Sequence, residues 1–290
     1  MSIKSEWKKL EEKLKAWWHD FVEKNIAAPD PYDGEDEDVS PSVVPHTSGG
    51  SLPNPSLASC WEGSNAQTRH MNELSHKFTD DQIAKRLDWA KDRGCNTVHW
   101  FLTNQGDGEG SGYSFYGTEP KLGSIDEAAV ARMAKRCEMA LARGLSVVFW
   151  LLADDSSKWN KTILANPGQF AEDLKKTGLL KYASCVVLGL EMNEYMGSSQ
   201  ASALASAVRG IWDGKVGTHH TSGKATFAGL GDIVFWQVEP GKSESQIKSA
   251  VTSAKKQTGK PVIMFELARN PNRGLSNAAI AAGAEGVGNW

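Results

Sequence analysis

Eight short apolar runs, each ending in polar residues and separated by helical patterns, constrain this 290-residue chain more than any other feature. They are SLASCWEG (56–63), NTVHWFLTN (96–104), LSVVFWLLADD (145–155), CVVLGLEMNE (185–194), KVGTHH (215–220), DIVFWQVEP (232–240), PVIMFELARN (261–270) and AEGVGNW (284–290). Near-continuous apolar runs rich in β-branched residues suit strands buried on both faces, as in parallel sheets covered by helices. Between them lie patterns such as DDQIAKRLDWAKDRG (80–94) and DEAAVARMAKRCEMALARG (126–144). Each starts acidic and ends in Arg-Gly, as the helix dipole and a glycine stop favour. Eight strands alternating with helices over residues 56–290 predict an α/β chain of the (β/α)8 TIM-barrel class. A doubly wound open sheet is the alternative, but no GxGxxG follows the first run and eight units suit closure better.

The amino-terminal segment is different. Ile3, Trp7, Leu10, Leu14, Trp17 and Phe21 recur at spacings of four and three, which predicts an amphipathic helix over residues 1–27. Residues 28–55 are acidic and rich in Pro, Gly and Ser, the composition of a linker. Residues 1–38 hold 6 Lys against 11 Asp and Glu, a net −5, while the whole chain carries −3, so the acidity belongs to this tail. The apolar stripe needs a partner surface. Two remain open: the barrel wall beside the eighth run, after which no eighth helix follows, or an oligomer or virion partner docked through residues 3–26.

Other classes are excluded by composition and spacing. No basic stripe with interleaved aromatics appears, so nucleic acid is not an expected partner. Cys60, Cys95, Cys137 and Cys185 form no CxxC pair, which argues against a disulfide framework or structural zinc and for buried free thiols. The start MSIKSEWKKLEEKLK lacks an apolar leader core, and no run reaches the roughly 18 apolar residues of a membrane span. The expectation is cytoplasmic synthesis without a signal peptide, with virion association or release by lysis as the routes outward.

In barrel enzymes the active site lies at the carboxyl ends of the strands. There the runs place Glu62, Asn104, Asp154, Asp155, Glu191, Asn193, Glu194, His219, His220, Gln237, Glu239, Glu266 and Arg269. The set is rich in carboxylates, and two carboxyl groups across a pocket are what glycosidic-bond hydrolysis requires. Glu194 and Glu266, ending the fourth and seventh runs, are the expected catalytic pair. His219 and His220 point opposite ways if extended, one toward the site and one toward the helices. Asn104, Gln237, Trp61, Trp236 and Trp290 complete the expected substrate contacts, since indole faces suit the C–H faces of sugars. Trp100 and Trp150 lie within runs and belong to the core. His99, Asp154, His219 and Glu239 could be imagined around a metal, but the first run lacks the HxH of barrel metallohydrolases. No metal or other cofactor is expected.

The Asn193-Glu194 pair ending the fourth run, with Glu266 in KPVIMFELA and Trp290 ending the eighth, resembles the clan A glycoside hydrolases, retaining enzymes on this barrel. The resemblance implies that Glu194 is the acid/base, Asn193 a contact to the sugar 2-hydroxyl, Glu266 the nucleophile and Trp290 the sugar platform. Two features depart from the clan pattern. Where the clan often carries a Tyr that steadies the nucleophile, DIVFWQVEPG offers Trp236, Gln237 and Glu239, and Glu191 adds an acid beside the site. A docking helix, an acidic linker and no leader together also resemble a phage virion protein. The rival expectation is therefore a catalytically inactive glycan-binding barrel serving as an attachment module.

Overall fold

A computed structural model describes residues 58–59, 71–92, 94–105, 112–153, 157, 159–221, 225–238, 241–267 and 273–289, all within one compact unit. The helix and linker expected over residues 1–55, and the side chains of Trp61 and Trp290, lie outside them. The strands are β1 (Ala58–Ser59), β2 (Thr97–Phe101), β3 (Thr103–Asn104), β4 (Tyr113–Ser114), β5 (Ser146–Trp150), β6 (Ala183–Val187), β7 (Lys215–His220), β8 (Ile233–Gln237), β9 (Val262–Phe265) and β10 (Gly286–Asn289). Eight of them close a parallel barrel in the order β1-β10-β9-β8-β7-β6-β5-β2, and β1 completes the ring by pairing with both β10 and β2. Every apolar run of the sequence supplies one barrel strand. After β2 the chain adds an antiparallel pair, β3 with β4.

The helices are α1 (Asp80–Asp92), α2 (Glu127–Leu141), α3 (Trp159–Ala165), α4 (Pro167–Thr177), α5 (Met192–Tyr195), α6 (Ser198–Arg209), α7 (Glu244–Thr258) and α8 (Arg273–Ala281). Their ends follow local chemistry. Asp126 caps α2 by accepting from Ala129 N, and Ser243 with Gln246 forms a capping box on α7, which Gly259 ends at φ 63°. The longer helices lay apolar stripes on the barrel. Ile247 and Val251 of α7, for example, pack with Val234, Trp236, Met264 and Val262 on the outer faces of β8 and β9.

The barrel interior is unusually aromatic. His99, Trp150, His219, Phe235 and Phe265 form one ring cluster, with Trp150 stacked on Phe265 at 4.6 Å and His99 5.1 Å from Phe265. Two glycines make the room. A Cβ at Gly217 would lie 2.7 Å from Phe235 Cε2, and one at Gly288 would lie 2.5 Å from Phe265 Cδ2. Cys95, Cys137 and Cys185 are buried, and burial pushes the thiols of Cys137 and Cys185 up to about 12, so both stay protonated and inert. Among the described residues no helix is long and apolar enough to cross a membrane.

Candidate active site

Glu266 reaches the barrel mouth through a backbone reversal. Side chains alternate along a strand, and Phe265 faces inward, so continued extension would send Glu266 outward. Its φ of 55° breaks that alternation. The side chain is only 9% exposed, and its Oε2 accepts a hydrogen bond from Gln237 Nε2 at 2.7 Å. Gln237 pairs with Phe265 in the sheet register and so shares its inward face. A donor on the carboxylate favours the ionised form. The amide therefore occupies the place where the resemblance expects a tyrosine hydroxyl. Gln237 Oε1 is buried with no hydrogen-bond partner among the described residues.

Glu194 is carried differently. The fourth strand ends at Val187, so Glu194 does not follow it directly as the sequence reading expected. The chain continues along the rim, with Leu188 N bonded to Gly217 O at 3.0 Å and Leu190 N to Leu152 O at 3.0 Å. It then turns at Glu191, φ 46° and ψ 39°, into α5, which holds Met192, Asn193, Glu194 and Tyr195. Gly189 permits the close return, since a Cβ there would meet the Tyr195 hydroxyl at 2.5 Å. Asn193 is locked to the end of β7: its Nδ2 donates to Thr221 Oγ1 at 2.7 Å, and its Oδ1 accepts from Thr221 N at 3.1 Å. Glu194 itself is exposed.

The two histidines part as their alternation requires. His219 turns inward, edge-on to Trp150 at 5.2 Å and to Phe265 at 5.6 Å, and its Nδ1 accepts from Glu191 N at 2.7 Å. Burial, with a smaller contribution from His220, holds its pKa well below the usual imidazole value. The ring is neutral, and since Nδ1 accepts, the proton sits on Nε2. His220 turns outward against Phe227 and Trp236. His220 and Trp236 are therefore corrections to the expected substrate contacts: both are buried in the layer between barrel and helices. Asn104 stays at the rim but is tied into the β3 turn, donating to Asn72 Oδ1 at 2.6 Å, an oxygen that Tyr113 also approaches at 3.1 Å.

His99 is a core residue. Trp150 Nε1 donates to its Nδ1 at 3.0 Å, and burial lowers its pKa to about 3. Among the described residues no group of three or more His, Cys, Asp or Glu could hold a metal ion. Asp154 and Glu239, the acids imagined beside His99 and His219, lie outside those residues, as does Arg269.

The rim thus carries two glutamates, Glu266 directly after β9 and Glu194 in α5 after β6, with β7 and β8 between them around the ring. The neighbouring strand reaches each segment: Gln237 of β8 bonds Glu266, while His219 of β7 and Thr221, the residue after β7, bond Glu191 and Asn193. One carboxylate is buried and hydrogen-bonded, and the other is open to solvent. Thr221 escaped the sequence reading because it lies one residue past the fifth run. Its signal was a hydroxyl directly after a strand end.

No family model matches the chain, and no curated protein matches it in sequence. Solved structures do match in fold. The exo-β-1,4-mannosidase Op5Man5 of Opitutaceae bacterium strain TAV5 superposes with a TM-score of 0.60 at 14% identity, over 82% of this chain and 51% of that one. The GH5_18 protein of Streptomyces cattleya, in complex with GlcNAc, gives 0.60 at 16% identity over 83% and 71%. The GH113 β-mannanase of Alicyclobacillus acidocaldarius gives 0.51 at 14% identity over 73% and 81%. This chain spans about half the length of the mannosidase. The expected likeness to clan A glycoside hydrolases holds at the level of the barrel.

Proposed function

We propose that this chain is a retaining glycoside hydrolase acting on a β-linked oligo- or polysaccharide, with Glu266 as nucleophile and Glu194 as acid/base. One observation carries the reading. The carboxylate of Glu266 is turned to the mouth by a left-handed backbone and held by the Gln237 amide at 2.7 Å. A non-glycine residue in that conformation costs on the order of 1–3 kcal/mol, and such strain gathers at functional sites. A hydrogen-bonded, ionised carboxylate at a strand end is suited to attack an anomeric carbon. Glu194, on the same rim, is the carboxyl group left to protonate the leaving oxygen. Asn193, with one amide hydrogen given to Thr221, keeps a second for a sugar hydroxyl.

The superposed barrels support a β-linked substrate, and the mannosidase and mannanase among them make β-1,4-mannooligosaccharides the first candidates. The exposure of Glu194 favours a second reading, a barrel that binds glycan without cleaving it. Incubation with mannooligosaccharides and aryl β-glycosides separates the two. Release of reducing ends that Glu266→Ala abolishes supports the hydrolase. Binding with no release of reducing ends supports the attachment module.

A further inference from the structure

The geometry points to His219 as a positioning residue, one that fixes the turn carrying Asn193 and Glu194 by accepting the Glu191 backbone N–H on its Nδ1. For its kinetic consequence the inference rests on the glycosidase reading, whereas its structural half stands without it.

Glu191 is one of three non-glycine residues at positive φ among those described, with Met71 and Glu266. A side chain in that region crowds the backbone, so the turn persists only where surrounding bonds hold it. Leu188 and Leu190 donate to main-chain carbonyls, Gly217 O in β7 and Leu152 O just past β5. At Glu191 the chain leaves that ladder, and its N–H meets the imidazole at 2.7 Å instead. From there Glu194 N returns to Glu191 O at 2.9 Å and Met196 N to Met192 O at 3.0 Å. The orientation of the Glu191 peptide therefore sets where α5 points, and with it Glu194.

His219 is built for this one bond. It is fully buried and clamped edge-on by Trp150 and Phe265. Its Nε2 has no hydrogen-bond partner among the described residues, so the acceptor at Nδ1 is the ring's polar connection there. For packing alone, an apolar side chain of similar volume would serve at lower desolvation cost. The ring's polarity is explained by the Glu191 N–H.

The test compares wild type, His219→Asn and His219→Leu on aryl β-glycosides with good and poor leaving groups. Asn can bring an amide oxygen near the position of Nδ1, while Leu fills space and accepts nothing. A displaced general acid matters most when the leaving group needs a proton. His219→Leu is expected to lose roughly 10- to 100-fold in kcat on the poor leaving group and little on the activated one, with His219→Asn restoring most of the difference. Equal loss on both substrates, or Asn as damaging as Leu, overturns the role. Nitrogen-15 NMR of wild type gives a second readout independent of turnover, with His219 expected as the Nε2–H tautomer accepting at Nδ1. An Nδ1–H tautomer overturns the inference and leaves the glycosidase reading intact. Absence of glycoside turnover in wild type removes that reading, while the tautomer still decides the structural role.

Discussion

Gln237 and Glu266 are joined across neighbouring strands by an Nε2–H···Oε2 hydrogen bond of 2.7 Å. Gln237 takes its direction from strand alternation, and Glu266 meets it only because its φ is 55°. The bond therefore ties a strained backbone to a regular one, and it places a neutral donor on the carboxylate assigned as nucleophile.

Gln237→Leu removes that donor while keeping the side chain's bulk. A hydrogen bond to a charged group contributes about 1.5–3 kcal/mol, so its loss disfavours the charged carboxylate. The acidic limb of kcat/KM against pH should move to higher pH. A limb that stays in place would separate Gln237 from the chemistry.

Glu194→Gln tests the other carboxyl group. Turnover of aryl glycosides with poor leaving groups should fall on the order of 10²- to 10⁴-fold, the range typical of general acid catalysis, while activated substrates retain much of their rate in the first step. A uniform loss across the leaving-group series would contradict the acid assignment.

The aromatic interior makes a prediction about stability. Gly217→Ala and Gly288→Ala each place a methyl within 2.7 Å of a buried phenyl ring. Overpacking of this kind costs roughly 1–3 kcal/mol, which for a domain of this size lowers Tm on the order of 2–12 °C. Thermal unfolding followed by circular dichroism measures it, and an unchanged Tm would show that Phe235 and Phe265 have room to shift.

His99 adds a pH dependence with a defined sign. Its folded pKa is lowered to about 3, against about 6.5 for a solvated imidazole. Below that unfolded value the unfolded chain binds a proton that the folded chain does not. The stability contribution is therefore complete above pH 6.5 and falls as the pH drops toward 3. At pH 5 the deficit from this residue is about 2 kcal/mol. Urea midpoints at pH 7.5 and 5.0 should differ less for His99→Asn, whose amide oxygen can still accept the Trp150 N–H, than for wild type. An equal difference would contradict neutral burial.

Much of this architecture was legible in the sequence because its signals are local. Eight apolar runs gave eight barrel strands, and acidic starts with Gly stops located α1 and α2. Placement of Glu266 and Gln237 at strand ends was legible for the same reason. What escaped depends on single backbone angles and on neighbours distant in the chain. Alternation alone cannot say that Glu266 turns back inward, and nothing near His219 in sequence shows that it holds Glu191, 28 residues earlier. His220 and Trp236 were misplaced because a strand-end position does not distinguish the barrel axis from the helix layer. Register does, and register is a property of the closed ring.

The most direct test of the central claim is covalent trapping of the nucleophile. Wild type is incubated with activated 2-deoxy-2-fluoro β-glycosides of the manno and gluco series, and the labelled peptide is identified by mass spectrometry. The account predicts one glycosyl unit esterified to Glu266, its formation abolished by Glu266→Ala. Hydrolytic turnover without any adduct, or an adduct on Glu191 or Glu194, would contradict it.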